Sequence, residues 1–233
     1  MESLMKSFFS KGGIEMKSGL LQAVMRFAVL YSVMFAVGCA TTGPPFFAAK
    51  ADNPGPHQAA SSWVQERRDS GSFGSGTVRQ TYRSLGEQTW QGRKVYAYEG
   101  PEGTLLVEVP STRYVAVVKE TKPLVSYDPP MGWNYPLWVG KTWTEIYRIT
   151  NHVSGKTSTV ETRWNVEAKE EIKVPAGTFK VFRVTYIDPT MENTNWWSLE
   201  LGTSIKSKYQ RNATHPMGPG VREIELISQD IRK

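Results

Sequence analysis

Few side chains in this 233-residue sequence are placed to do chemistry, and each one narrows what the chain can be. Cys39 is the sole cysteine, so an intramolecular disulfide is excluded and a metal site would need histidines and carboxylates alone. His57, His152 and His215 stand far apart in Pro-, Gly- and Asn-rich neighbourhoods, with no HxxxH or HExxH spacing. No Gly-x-Ser-x-Gly elbow is present to raise a serine nucleophile. "GSFGSG" (71–76) lacks the Gly-x-Gly-x-x-Gly order and no helical pattern follows it, so it reads as a flexible turn rather than a phosphate cradle. Glu161, Glu167, Glu170 and Glu171 alternate or cluster on what reads as a solvated face. A glycosidase needs two carboxyls facing across a cleft, and nothing singles out such a pair. Catalytic residues, metal ligands and cofactors are therefore all expected to be none.

The residues with most potential for binding are aromatic. "DPPMGWNYPLWVGKTW" (128–143) holds Trp133, Trp138 and Trp143. Trp143 begins an alternating segment and reads as core. Trp133 and Trp138 lie between prolines and glycines; they either pack over an open barrel end or line a groove for a glycan or acyl chain. Trp196 and Trp197 are adjacent, so on a strand they point to opposite faces. Trp133, Trp138 and Trp196 are the candidate ligand-binding residues.

Cys39 has a different use. "MKSGLLQAVMRFAVLYSVMFAVGCATTG" begins at Met16 with Lys17 and Arg26 and runs apolar from Phe27 to Val37, the dimensions of an export signal. A membrane-spanning helix needs about 20 apolar residues, more than this run supplies. Either Met1 or Met16 serves as the start. The run ends in Ala36-Val37-Gly38-Cys39, which resembles a bacterial lipobox, with Ala36 where leucine is usual. The resemblance implies that the Cys39 thiol receives diacylglycerol, with its palmitate-like chains, before cleavage after Gly38. Ala40, where an aspartate would signal inner-membrane retention, implies the outer membrane facing the periplasm. Several acyl chains anchor firmly, since each buried CH₂ contributes about 0.8 kcal/mol.

These marks divide the chain into a signal peptide (1–38), a lipidated tether (39–62) and one β domain (63–233). The tether is Ala-, Pro-, Gly- and Ser-rich with no sustained period, which reads as disordered. The domain is a succession of short alternating segments and turns, the pattern of an antiparallel β protein. In "TVETRWNVEAK" (159–169), Val160, Thr162, Trp164, Val166 and Ala168 make a dry face opposite a charged one. "KTWTEIYRIT" reads as its partner strand. "EIKVPAGTFKVFRVTYID" reads as strand, Pro-Ala-Gly turn and strand. In "SIKSKYQ", Ile205 and Tyr209 point one way and Lys206 and Lys208 the other; Lys206, Lys208 and Arg211 read as an outer basic strip. "GEQTWQGRKVYAYE" echoes the 170–186 segment, which suggests pseudo-repeats over 70–127 and 141–229. The fold class is all-β: an antiparallel curved sheet or partial β-barrel, preceded by a signal helix and a tether.

"YPLWVGKTW" (135–143), "VPAGTFKVFRV" (174–184), "WWSLELGTSIKSKYQR" (196–211) and "REIELIS" (222–228) together resemble a domain-of-unknown-function family of uncharacterised bacterial envelope proteins. Trp197 stands where that family often has tyrosine. The resemblance implies a strongly curved antiparallel sheet in the envelope, with Trp197 in the core and Trp196 outward, and brings no activity with it.

The formal charge is +6 and the pI about 9.3. The basic residues form no dense run interleaved with aromatics, which argues against nucleic acid as a partner. The expected partners are the membrane, through the N-terminal lipid, and a lipid, glycan or envelope protein. Three functions remain open from sequence: an outer-membrane lipoprotein that binds a partner or amphipathic ligand without catalysis, an assembly protein using strand-edge contacts, and a cell-wall hydrolase.

Overall fold

A computed structural model describes residues 50–232. Cys39, Gly38, the leader and the first part of the tether lie outside them. The described residues form a closed antiparallel barrel of twelve strands. The first six are β1 (Ser62–Gly71), β2 (Gly76–Trp90), β3 (Arg93–Gly100), β4 (Gly103–Glu108), β5 (Tyr114–Lys119) and β6 (Lys122–Met131). After a ten-residue linker come β7 (Thr142–Asn151), β8 (Lys156–Val174), β9 (Gly177–Ile187), β10 (Met191–Ser198), β11 (Thr203–Arg211) and β12 (Gly220–Asp230). Each strand pairs with the next in sequence, and β1 returns to β12 from Ser62↔Asp230 to Gly71↔Gly220.

The all-β antiparallel expectation is met, and the curvature runs to full closure. Closure gives every strand a neighbour on both sides, although β6 and β7 pair only over Val125–Asp128 and Arg148–Asn151. A strand-edge contact would fall on such unpaired stretches as Thr142–Tyr147 on the β6 side of β7.

An up-and-down meander sorts its connections between two rims. The terminal rim carries the start of β1, the end of β12, the 132–141 linker and the 199–202 turn. The loop rim carries the 72–75, 101–102 and 212–219 connections. The two echoing segments form the β2–β3 and β8–β9 hairpins, which take the same ordinal place in each set of six strands. Both have a bulge, at Ser84/Gly86 and Val166/Ala168.

The dry face of β8 points inward: Thr162, Trp164 and Val166 are buried. Around them the linker folds into the barrel and buries Trp133 and Leu137 among Trp164, Val166, Phe182 and Val184. Trp133 meets Trp164 at 5.8 Å and Trp197 at 4.4 Å, while Trp143 stacks on Trp164 at 5.2 Å. This aromatic plug fills the β7–β9 side. Past its bulge, the β8–β9 hairpin packs Val174 and Val181 against Leu201, Ile205, Leu226 and Trp63, and the Ala176 amide donates to the Leu226 carbonyl at 3.3 Å.

Residues 50–61, read from composition as tether, lie against the barrel. Ala51 and Leu137 exchange two backbone hydrogen bonds of 2.8 Å, and the Ser84 amide donates to the Ser61 carbonyl at 2.8 Å. His57 is buried, with Nε2 2.8 Å from the Leu201 carbonyl and its ring edge-on to Trp63 and Tyr98. Composition missed this because an aperiodic Ala/Pro/Gly segment still has backbone donors and acceptors, and the terminal rim supplies their partners.

Candidate functional site

The plug leaves the other side of the barrel hollow. A cavity of about 400 Å³ runs between the inward faces of β1–β6 and β10–β12. Strand parity puts its lining in place. Trp63 and Gln65 sit opposite Tyr82 and Gln80, and Tyr98 opposite Leu105 opposite Val117. Across the lumen, Ser207 and Tyr209 pair with Ile224 and Arg222. Trp63 and Tyr82 stack at 5.6 Å with their planes 10° apart. Burial pushes the Tyr82 and Tyr98 hydroxyls up to about 12. Burial likewise raises Tyr114, Tyr127 and Tyr209. These phenols therefore stay protonated at neutral pH and can both donate and accept.

Charge enters at the loop rim. Asp69 accepts from Arg222 through Nε and Nη2 at 2.8 and 3.1 Å and pairs with Arg67 at 3.1 Å. Arg67 also donates to Glu102 at 2.9 Å. Arg211 stacks on Phe73 at 3.7 Å, with Arg222 4.6 Å from the same ring. The "GSFGSG" turn is thus pinned rather than loose, and the Ser72 amide donates to the Pro219 carbonyl at 2.9 Å. Arg211 shares the parity of Tyr209, so it does not belong to an outer strip with Lys206 and Lys208. Lys206 is itself paired with Glu225 at 2.7 Å.

The two carboxylates at the lumen's charged end are each engaged by arginine. His152 lies by the Ser126 hydroxyl at 2.9 Å, and the His215 ring accepts from the Met217 amide at 3.1 Å, both away from the lumen. Among the described residues no three metal-ligating side chains converge. A second hollow of about 410 Å³ crosses β7–β9 between Thr142, Arg163 and Ile187. It is more open to solvent and has no comparable set of converging groups.

The three candidate tryptophans do not come together. Trp133 is buried in the plug. Trp138 lies in the linker with the Lys141 ammonium 4.8 Å from its ring. Trp196 is on the outer parity of β10, where its indole donates to Glu170 at 2.8 Å. None of the three lines the cavity, whereas Trp197 does. Sequence reasoning passed over Trp63, Tyr82, Tyr98 and Tyr209. Their signal was an aromatic on one parity shared with amides and hydroxyls, a pattern that a search for a purely dry face discards.

No family model matches the sequence, and no curated protein matches it. Among solved structures, a protein designated a lipoprotein from Parabacteroides distasonis is similar over 78% of this chain and 100% of its own, at 12% identity and a TM-score of 0.41. An exported protein with a YmcC-like fold from Bacteroides fragilis covers the same shares at 11% identity and 0.48. The hypothetical lipoprotein YmcC of Escherichia coli is similar over 72% of this chain and 84% of its own, at 13% identity and 0.40. At these scores no property is carried across, and the fold rests on the chain's own strand pairing.

Proposed function

We propose that this chain is a lipid-anchored protein of the bacterial outer membrane, facing the periplasm, that holds an amphipathic ligand in the lumen of its barrel and catalyses no reaction. The observation that supports this is the cavity itself. It is bounded by aromatic and aliphatic walls, set with a few amides and hydroxyls, and charged at one rim, and its size falls within the range of small-molecule sites. The anchor rests on the leader and Cys39. The carboxylates at the lumen's charged end, Asp69 and Glu102, pair with arginines, and His57 in the lining points Nε2 to the Leu201 carbonyl, which favours holding over acid–base chemistry.

The test is to purify the full chain with Cys39→Ser without detergent and record its native mass. The expected result is a population heavier by one small amphiphile, released by organic extraction. A clean protein mass, together with no uptake of the apolar dye N-phenyl-1-naphthylamine, overturns the reading.

A further inference from the structure

Deepening the lumen-binding reading, and resting on it, we propose that the ligand carries an anionic head, carboxylate or phosphate, on an apolar tail, and that Glu102 competes with that head for Arg67. Glu102 sits in the turn between β3 and β4, and this turn lines the mouth of the cavity. Its side chain is 72% exposed, yet its carboxylate lies 2.9 Å from Arg67 Nη1. Its charge also reaches the phenols of Tyr82 and Tyr209, and helps to raise both.

The charges around this seat do not balance. Asp69, with its side chain 9% exposed, serves both Arg67 and Arg222. Arg211 stands beside Arg222 on the Phe73 ring, donates to Ser72 at 3.2 and 3.3 Å, and among the described residues forms no ion pair with a carboxylate; burial and the neighbouring Arg222 draw its pKa down against the pull of Asp69. Three guanidinium groups thus surround one buried carboxylate, and among the described residues Glu102 is the other anion paired with them. A guanidinium fork matches a carboxylate or phosphate in geometry as well as in charge. Displacing Glu102 takes little, because ion pairs with one partner in solvent are weak.

The turn's backbone is closely packed against the neighbouring strands. A Cβ on Gly100 would come within 2.8 Å of the Tyr82 ring, and one on Gly103 within 2.5 Å of the Val118 carbonyl. Rotation of the exposed Glu102 side chain is enough to open the seat. From Glu102, the charged side chain on its wall, the lumen runs inward past Tyr82, Leu105, Val117 and Ile224 to Trp63, a path for a tail rather than for a second charge, and Arg67 meets it through the ion pair with Glu102.

The experiment titrates the full Cys39→Ser chain, by calorimetry below micelle concentrations, with four probes of one tail: laurate, dodecyl phosphate, dodecanol and dodecyltrimethylammonium. The two anions are expected to bind about tenfold tighter than dodecanol, as a charge-assisted pair requires. Glu102→Gln should tighten both anions about two- to fivefold and leave dodecanol unchanged. Arg67→Lys, checked for folding by its melt, should erase much of the preference. Whichever anion binds tighter assigns the head as carboxylate or phosphate. Equal binding of all four heads, or no effect of Glu102→Gln on the anions, overturns this inference and leaves the lumen reading standing. Binding of none overturns both.

Discussion

Lys141 is 8% exposed and has no carboxylate partner among the described residues; replacing it with methionine tests whether it clamps the aromatic plug. Its ammonium donates to the carbonyls of Asn134 and Pro136, the latter at 2.9 Å, and lies 4.8 Å and 5.4 Å from the rings of Trp138 and Trp143. One side chain therefore ties the linker to the first residues of β7. A hydrogen bond from a charged donor contributes about 1.5–3 kcal/mol, and a cation–π contact about 0.5–2 kcal/mol. Against this, burying an ammonium costs several kcal/mol, which methionine avoids while keeping most of the stem packing. The Asn134 carbonyl can be rehydrated at the surface, and the Pro136 carbonyl less readily. The net loss for Lys141→Met is about 2 kcal/mol, or about 4–8 °C in melting temperature for a domain of this size. Amide exchange should quicken at Leu137 and Gly140, whose hydrogen bonds to Ala51 and Val166 fix the linker. Burial lowers the Lys141 pKa, so the unfolded chain binds the proton more readily just below pH 10.5 and wild-type stability rises with pH there. The variant should lack that rise. An unchanged or higher melting temperature with unchanged exchange would refute the clamp, since desolvation would then outweigh every contact Lys141 makes.

Three further outcomes are expected. Cys39→Ser should move the protein from the membrane to the soluble fraction, and a variant that stays in the membrane removes Cys39 as the anchor. Trp164→Ala should destabilise the barrel by about 3–5 kcal/mol in denaturant unfolding, because Trp164 touches Trp133, Trp143 and Tyr186 at the centre of the plug; a loss under 1 kcal/mol would show that the plug repacks. Burial raises Glu145 above its usual carboxylate range, despite Arg113 and the Gly132 amide beside it. Its folded form binds the proton more readily than the unfolded chain, so its contribution to stability grows as pH falls toward the ordinary value of 4.5. Wild type should gain stability relative to Glu145→Gln as pH falls over that interval in pH-resolved melts, and a constant difference or a relative loss contradicts the sign.

What the sequence could and could not reveal follows from where each pattern is local. The 159–169 segment was legible because one strand with a dry and a charged face declares its period within a few residues, and Thr162, Trp164 and Val166 are buried as that period requires. The Val-Pro-Ala-Gly-Thr-Phe hairpin was legible for a similar reason, its turn chemistry being short-range. Adjacent Trp196 and Trp197 do face opposite ways, with Trp197 toward the lumen. Closure was not legible, since the β1–β12 pairing joins the two ends of the domain and antiparallel partners of similar strands are nearly degenerate on paper. Trp133 defied assignment because a Pro/Gly-bounded linker has no period to say which way a side chain points. The lumen was hidden by its own polarity: Gln65, Asn195 and Ser207 face inward, where a reader of dry faces expects apolar residues.

Barrel size connects the plug to the lumen. About eight strands already enclose a space that wall side chains can fill, and the interior grows with strand number. Twelve strands therefore enclose more volume than their own inward residues occupy. On the β7–β9 side the surplus is taken up by the linker with Trp133 and Leu137, and elsewhere it remains as the cavity. Trp197 touches both, lining the cavity while packing 4.4 Å from Trp133. The plug is thus one wall of the lumen, and the residues that fix it also set the lumen's width. Loosening it through Lys141→Met should weaken probe binding even though Lys141 lines no part of the cavity. If the plug only fills space, stability will fall while affinity stays constant, and the two functions of the interior will have come apart.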